Sequence, residues 1–249
     1  MKKALSIITV LSLIMSLTSC MGSTPAIQDE ETLIEAKEEQ TIKKVSEEKV
    51  SYEITDNRIK TWTNSIGTTW MQGIVEITNT GNTDLYLSSG KFEIDDSEGN
   101  IVAVKDLISV YPQVIAPGEK AYYYDETTLD SSADGQYTLI PTISAEKARV
   151  SRVRYETGSF TLSDKEYLGI QALGKITNTT EKEESMPLIV VFLFNSDNNL
   201  IGLMFTYGSK IAPGETTAEN VSALSMPDDI TSSSVDHFEV AAYPFQYQF

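Results

Sequence analysis

The sequence predicts an all-β chain in which two tandem β-sandwich domains follow a targeting segment and a flexible tether. Three observations carry this expectation. Two short motifs recur in the same order about one hundred residues apart, strand-like runs alternate with turn clusters of Asn, Asp, Gly and Pro, and no stretch after residue 50 keeps a helical period. A length of 249 residues, 41% of them hydrophobic, suffices for one large domain or two ordinary ones with real cores.

Residues 1–19 leave the fold argument first. Lys2 and Lys3 precede an apolar run over 4–16 that is interrupted by Ser and Thr. A bilayer-spanning helix needs about 20 apolar residues, so this run reads as a signal peptide. It ends in Leu17-Thr18-Ser19-Cys20, which resembles the lipobox of bacterial lipoproteins. The resemblance implies cleavage before Cys20 and a diacylglyceryl thioether on its sulfur. That places the chain outside the cytoplasm, anchored to the bacterial cell membrane, or to the outer membrane of a cell that has one. Two acyl chains hold stably where a single chain holds marginally. An ordinary secretory signal with a chance Cys is the alternative. Residues 20–50 lack aromatic residues and are rich in Glu, Lys, Thr and Ser, so they cannot bury enough apolar surface to offset their ordering entropy. They read as an acidic tether, about 100 Å long if fully extended.

The repeat organises the remainder. Ile77-Thr78-Asn79-Thr80 recurs as Ile176-Thr177-Asn178-Thr179, and Ile115-Ala116-Pro117-Gly118-Glu119 recurs as Ile211-Ala212-Pro213-Gly214-Glu215. Residues 51–156 and 157–249 are therefore expected to be two copies of one module. In the first copy Ile74-Val75-Glu76-Ile77 is a strand running into an Asn-Thr-Gly turn. Lys91-Phe92-Glu93-Ile94 has the alternation of a half-buried strand. The acidic turn 95–100 follows, and the strand resumes at Ile101. Pro then Gly at the centre of each Ala-Pro-Gly-Glu suits a type II turn. The second copy repeats the plan, with Phe192 and Phe194 before an Asn-rich turn at 195–199. Short strands in units near 100 residues point to sandwiches.

These features resemble FxLYD-type domains, immunoglobulin-like sandwiches of bacterial surface lipoproteins. Phe92-Glu93-Ile94-Asp95-Asp96 keeps the Phe, the aliphatic third position and the final Asp, with Asp95 where Tyr is expected. Phe192-Leu193-Phe194-Asn195-Ser196 keeps the Phe and departs at its last three positions. The resemblance implies tandem immunoglobulin-like β-sandwiches in an extracytoplasmic binding or scaffold role, and it brings no catalytic residues with it.

Chemistry-bearing residues are sparse. A formal charge of −17 disfavours nucleic-acid binding, which draws on clustered Lys and Arg. A single Cys excludes an internal disulfide and a multi-Cys zinc site. His237 is the only histidine and falls in the last expected strand, where an ordinary strand role is the simplest reading. Ser-x-x-Lys spacings at Ser88 and Lys91, Ser46 and Lys49, and Ser144 and Lys147, with Ser196-Asp197-Asn198, lack the Lys-Thr-Gly element and presenting helix of penicillin-recognising enzymes. The acidic turns mimic calcium loops, but Asn100 and Asp106 stand where an EF-hand needs Gly and Glu, and Thr206 where the second turn needs a carboxylate. Catalytic residues, metal ligands and cofactors are expected to be absent. Trp62, Trp70, Tyr111 and Tyr122-Tyr123-Tyr124 are either core residues or a stacking surface for sugar or peptide.

The two copies differ where a partner would matter. At an offset of one hundred residues, Ser89, Lys91 and Glu93 become Ile189, Val191 and Leu193. A strand apolar on both faces must be covered on both. The first module, a terminal strand within 238–249, or an external partner could provide the cover, which makes Ile189, Val191 and Leu193 candidate partner contacts. The function expected is non-catalytic protein binding or scaffolding at the cell envelope, with binding of carbohydrate or cell-wall glycan as the alternative. The partners expected are the membrane through the lipid on Cys20 and an envelope protein or cell-wall glycan.

Overall fold

A computed structural model describes residues 47–130, 132, 134–166, 169–223 and 226–245. Cys20, the signal peptide and the tether as far as residue 46 lie outside the described residues. The described chain is all-β. The first half contains β1 (Tyr52–Thr63), β2 (Thr69–Asn79), β3 (Leu85–Leu87), β4 (Gly90–Asp96), β5 (Ile101–Tyr111), β6 (Val114–Ile115), β7 (Lys120–Leu129), β8 (Tyr137–Thr142) and β9 (Ala145–Lys147). The second contains β10 (Glu156–Thr157), β11 (Thr161–Lys165), β12 (Gly169–Thr177), β13 (Pro187–Phe194), β14 (Leu200–Tyr207), β15 (Thr216–Ser222) and β16 (His237–Pro244). Among the described residues no helix is long and apolar enough to cross a membrane.

In the first half six strands follow the order β1-β2-β7-β5-β4-β8, and the other three follow the order β6-β3-β9. β5 belongs to both layers, pairing β4 over most of its length and β7 through Ser109, Val110 and Tyr111. The change of partner follows a bulge at Leu107, whose φ of 57° puts a bulky side chain in the left-handed region and turns the strand. Met71, Val75, Ile77, Phe92, Ile94 and Tyr123 fill the space between the layers. In the second half β12 lies between β11 and β15, with β10 also pairing it, while β13 lies between β14 and β16. β10 spans the boundary expected at 156/157, and Tyr155 is already bridged to Ala242.

The two repeated motifs are the halves of one lock, present twice. The buried Asn79 amide donates to the carbonyls of Thr83 (2.9 Å) and Ile115 (3.1 Å), and Asn178 does the same to Lys182 (2.7 Å) and Ile211 (3.1 Å). The backbone carbonyls of Asn79 and Asn178 accept from Gly118 and Gly214. Those glycines, at φ 81° and 74°, hold the type II geometry, and the Glu119 and Glu215 side chains accept from the amides of Ala116 and Ala212. A side chain that satisfies buried carbonyls cannot be exchanged freely, which explains why these letters persist in both copies.

The register corrects the equivalence drawn from sequence. Asp96 closes its turn with Asn100 and Gly99, while Asn195 closes its turn with Asn199 and Asn198, so the strands before these turns correspond at an offset of 99. Val191 and Leu193 then stand where Phe92 and Ile94 stand, and Val190, Phe192 and Phe194 replace Lys91, Glu93 and Asp95. A slip of one residue moves every side chain of a strand to the opposite face. Ile189, Val191 and Leu193 accordingly belong to the second half's own core, packed with Ile170, Ala172 and Ile176. The additional apolar face belongs to their neighbours.

Candidate functional site

That additional face is covered by the first half. Leu188, Val190, Phe192 and Phe194 of β13 and Leu200 and Leu203 of β14 pack against Ile74 of β2, Tyr111 of β5, and Tyr122 and Tyr124 of β7. Alternation produces this surface: along β7 the side chain of Tyr123 enters the first core, while Tyr122 and Tyr124 leave by the other face. Rings meet across the junction, with centroids 5.5 Å apart for Tyr122 and Phe192 and 5.6 Å apart for Tyr111 and Phe205. Both faces of the tyrosine run are therefore core, one within the first half and one shared. Burial pushes the Tyr111 phenol up to about 12. Burial and the neighbouring Glu126 carboxylate push Tyr124 well above its usual value.

One carboxylate enters the shared layer. Glu76, 7% exposed, accepts hydrogen bonds from Thr55 Oγ1 (2.7 Å) and Lys120 Nζ (2.8 Å), and Tyr122 also bonds to it. Burial raises its pKa, but these donors and the Lys120 charge outweigh that effect and hold the carboxyl below its ordinary value. The pair sits beside a concavity of about 520 Å³ whose other cations are also engaged, Arg152 with Glu119 and Arg154 over the ring of Tyr243.

At the other end of the junction lies a cleft of about 340 Å³. Trp70, Tyr111, Tyr124, Leu203 and Phe205 form its apolar walls, and Ser109, Asp125, Glu126 and Ser222 supply polar edges. Trp70 is half-buried and stacks on Trp62 of the neighbouring strand, with centroids 6.3 Å apart and planes at 18°. The Tyr124 hydroxyl donates to Glu126 (2.5 Å) and accepts from the Gln72 amide (2.9 Å), so three polar groups are held in one chain beneath the cleft. Lys105 pairs with Asp125 at 3.3 Å, and Lys60 reaches across the junction to Asp229 at 2.7 Å. A volume of this size, apolar in its walls with a few convergent polar groups, suits one small organic group.

The cleft lies far from the point where the chain enters the body. Residues 47–51 are pinned to the turn after β2: Asn82 donates to the Glu47 carbonyl and accepts from the Lys49 amide, and Lys147 pairs with Glu48. Tyr52 opens β1 opposite Asn79, whereas Trp62, its next-to-last residue, lies opposite Trp70. A twelve-residue strand separates these ends by about 35 Å.

The structure gathers only part of the predicted set. Trp62, Trp70, Tyr111 and Tyr124 come together at the cleft or beside it, while Tyr122 lines the other concavity and Tyr123 enters the first core. Ile189, Val191 and Leu193 are each 0% exposed within the chain's own core, away from any surface a partner could touch. His237 stacks flat on Phe194, with centroids 4.9 Å apart, and lies 3.2 Å from Asp236. The turn residues Asp96 and Asn195 spend their side-chain oxygens on backbone amides two and four residues ahead, the ordinary work of such turns. No local pattern in the sequence marks Glu126, Phe205 and Ser222, because they are brought together only across a junction. No family model and no curated protein matches the chain.

Proposed function

We propose that this chain is a lipid-anchored protein of the bacterial cell envelope whose two FxLYD-type, immunoglobulin-like sandwiches form a rigid, non-catalytic unit for protein binding or scaffolding. The observation that carries the reading is the shared aromatic and aliphatic core: it fuses the halves and fixes the shape of the cleft between them. A preformed concave site loses little conformational freedom on binding, which favours recognition over a mobile hinge. The placement of the cleft supports the same view. Residues 47–51 lie at one end of β1, and Trp62 and Trp70 stand at the other.

The stacked, half-buried Trp62 and Trp70 favour a second reading, in which the site receives a carbohydrate or cell-wall glycan. Two measurements separate these readings. A photocrosslinking residue replaces Ser222 at the cleft, or Thr142 on β8 as a control, and crosslinked material is recovered from intact cells for mass spectrometry. Protein binding predicts a discrete adduct from Ser222 alone; sedimentation with peptidoglycan that disappears in Trp70→Ala establishes the glycan reading. A Cys20→Ser chain that stays in the membrane fraction would overturn the anchor.

A further inference from the structure

We infer that the cleft between the halves binds an alkylammonium cation, either a free small amine or the side chain of a lysine on a partner. The inference rests on the cleft being a recognition site and adds the chemistry of what enters it. Aromatic faces carry negative electrostatic potential, and cations are attracted to them most strongly where water is excluded. Trp70, Tyr124 and Phe205 supply such rings around one concavity, with Glu126 at its edge.

Charge selects the sign of the guest. The Tyr124 hydroxyl donates to Glu126, which fixes the position of that carboxylate at the edge of the cleft. Lys105 is paired with Asp125 of the lining, and Lys60 is paired with Asp229. The whole chain carries −17, so the long-range field also draws cations and repels anions. At about 340 Å³ the cleft admits a methylated or primary ammonium on a short alkyl stem. The opposite concavity mixes charges, with Lys120, Arg152 and Arg154 on its lining beside Glu119 and Glu239.

The test uses the full chain without substitutions elsewhere. Choline chloride, its neutral isostere 3,3-dimethylbutan-1-ol and an acetylated Gly-Lys-Gly amide are titrated while tryptophan emission and heats of binding are recorded. Both tryptophans of the chain lie at or beside the cleft, so emission reports its occupancy. Expected results are saturable binding of at least one cation, at least tenfold weaker binding of the neutral isostere, and a further tenfold loss in Glu126→Gln. Choline alone binding identifies the small-amine source, and the peptide binding as well identifies a partner lysine. Equal binding of the neutral isostere, indifference to Glu126→Gln in a variant with unchanged melting temperature, or saturable binding of a peptidoglycan fragment in place of the cations would overturn the inference. Failure here is distinguishable from failure of the binding role itself: a Ser222 adduct obtained without cation binding would leave the role standing and remove this ligand class.

Discussion

Replacing Phe192 with Glu gives the second half the residue that the first half carries at the equivalent position, Glu93, on a face open to water. Phe192 is 5% exposed and its ring packs on Tyr122, so the substitution attacks the shared core while leaving the second half's own interior intact. Truncating a buried aromatic costs about 3–5 kcal/mol, and a carboxylate forced against the tyrosine face adds to that cost. For a body of this size each kcal/mol lowers the melting temperature by about 2–4 °C, so a fall of about 10 °C is expected. The halves then part before either melts: calorimetry should resolve two transitions in place of one, and the radius of gyration in solution scattering should rise while far-ultraviolet dichroism stays β-like. Val191→Glu, one residue away, points into the second core and should unfold that half outright. The reverse pattern, or a Phe192→Glu chain with a single transition at the parent temperature, would refute both the register and the division of the two cores.

Two further outcomes follow from particular groups. Asn178→Ala removes the amide that serves the carbonyls of Lys182 and Ile211, and leaving a buried acceptor unpaired costs about 1–3 kcal/mol, measurable as a lower urea midpoint with an unchanged slope. The carboxyl of Glu76 is held below its ordinary 4.5, so its stabilising contribution is complete above that value and is lost as the pH falls through the lowered folded-state pKa. A Glu76→Gln chain should be less stable at neutral pH and lose less on acidification below pH 4.5, as read from melting temperatures across a pH series.

The all-strand character and the recurrence of the two motifs were legible because both are local. Asn-Thr and Ala-Pro-Gly-Glu each fold as a turn within a few residues, and the pairing of one with the other follows from their order. The uniform apolarity of β13 also announced, from sequence, that both of its faces are covered. Which residues lie on which face was not legible, because a period of two gives no origin: Val191 and Phe192 are equally apolar, and only the hydrogen bonds closing the turns at Asp96 and Asn195 fix the phase. The cleft was partly legible. Trp70, Tyr111 and Tyr124 stand out by type, but Phe205 and Ser222 reach them only through tertiary packing, about which sequence spacing is silent.

The mismatch between the copies decides how far stacking can proceed. Equivalent turns lie 99 residues apart at Asp96 and 96 apart at Ile115, and the difference falls in β5, three residues longer than β14. The last three residues of β5, Ser109, Val110 and Tyr111, are the ones that pair β7, and the Tyr111 ring receives Phe205. The first copy is thus a platform and the second its lodger, a head-to-tail contact that could in principle recruit a third unit and grow into a filament. Growth is arrested because the platform's own corresponding surface bears Lys91, Glu93 and Asp95 where the lodger bears Val190, Phe192 and Phe194. Three polar side chains on β4 make that surface unsuited to the same contact.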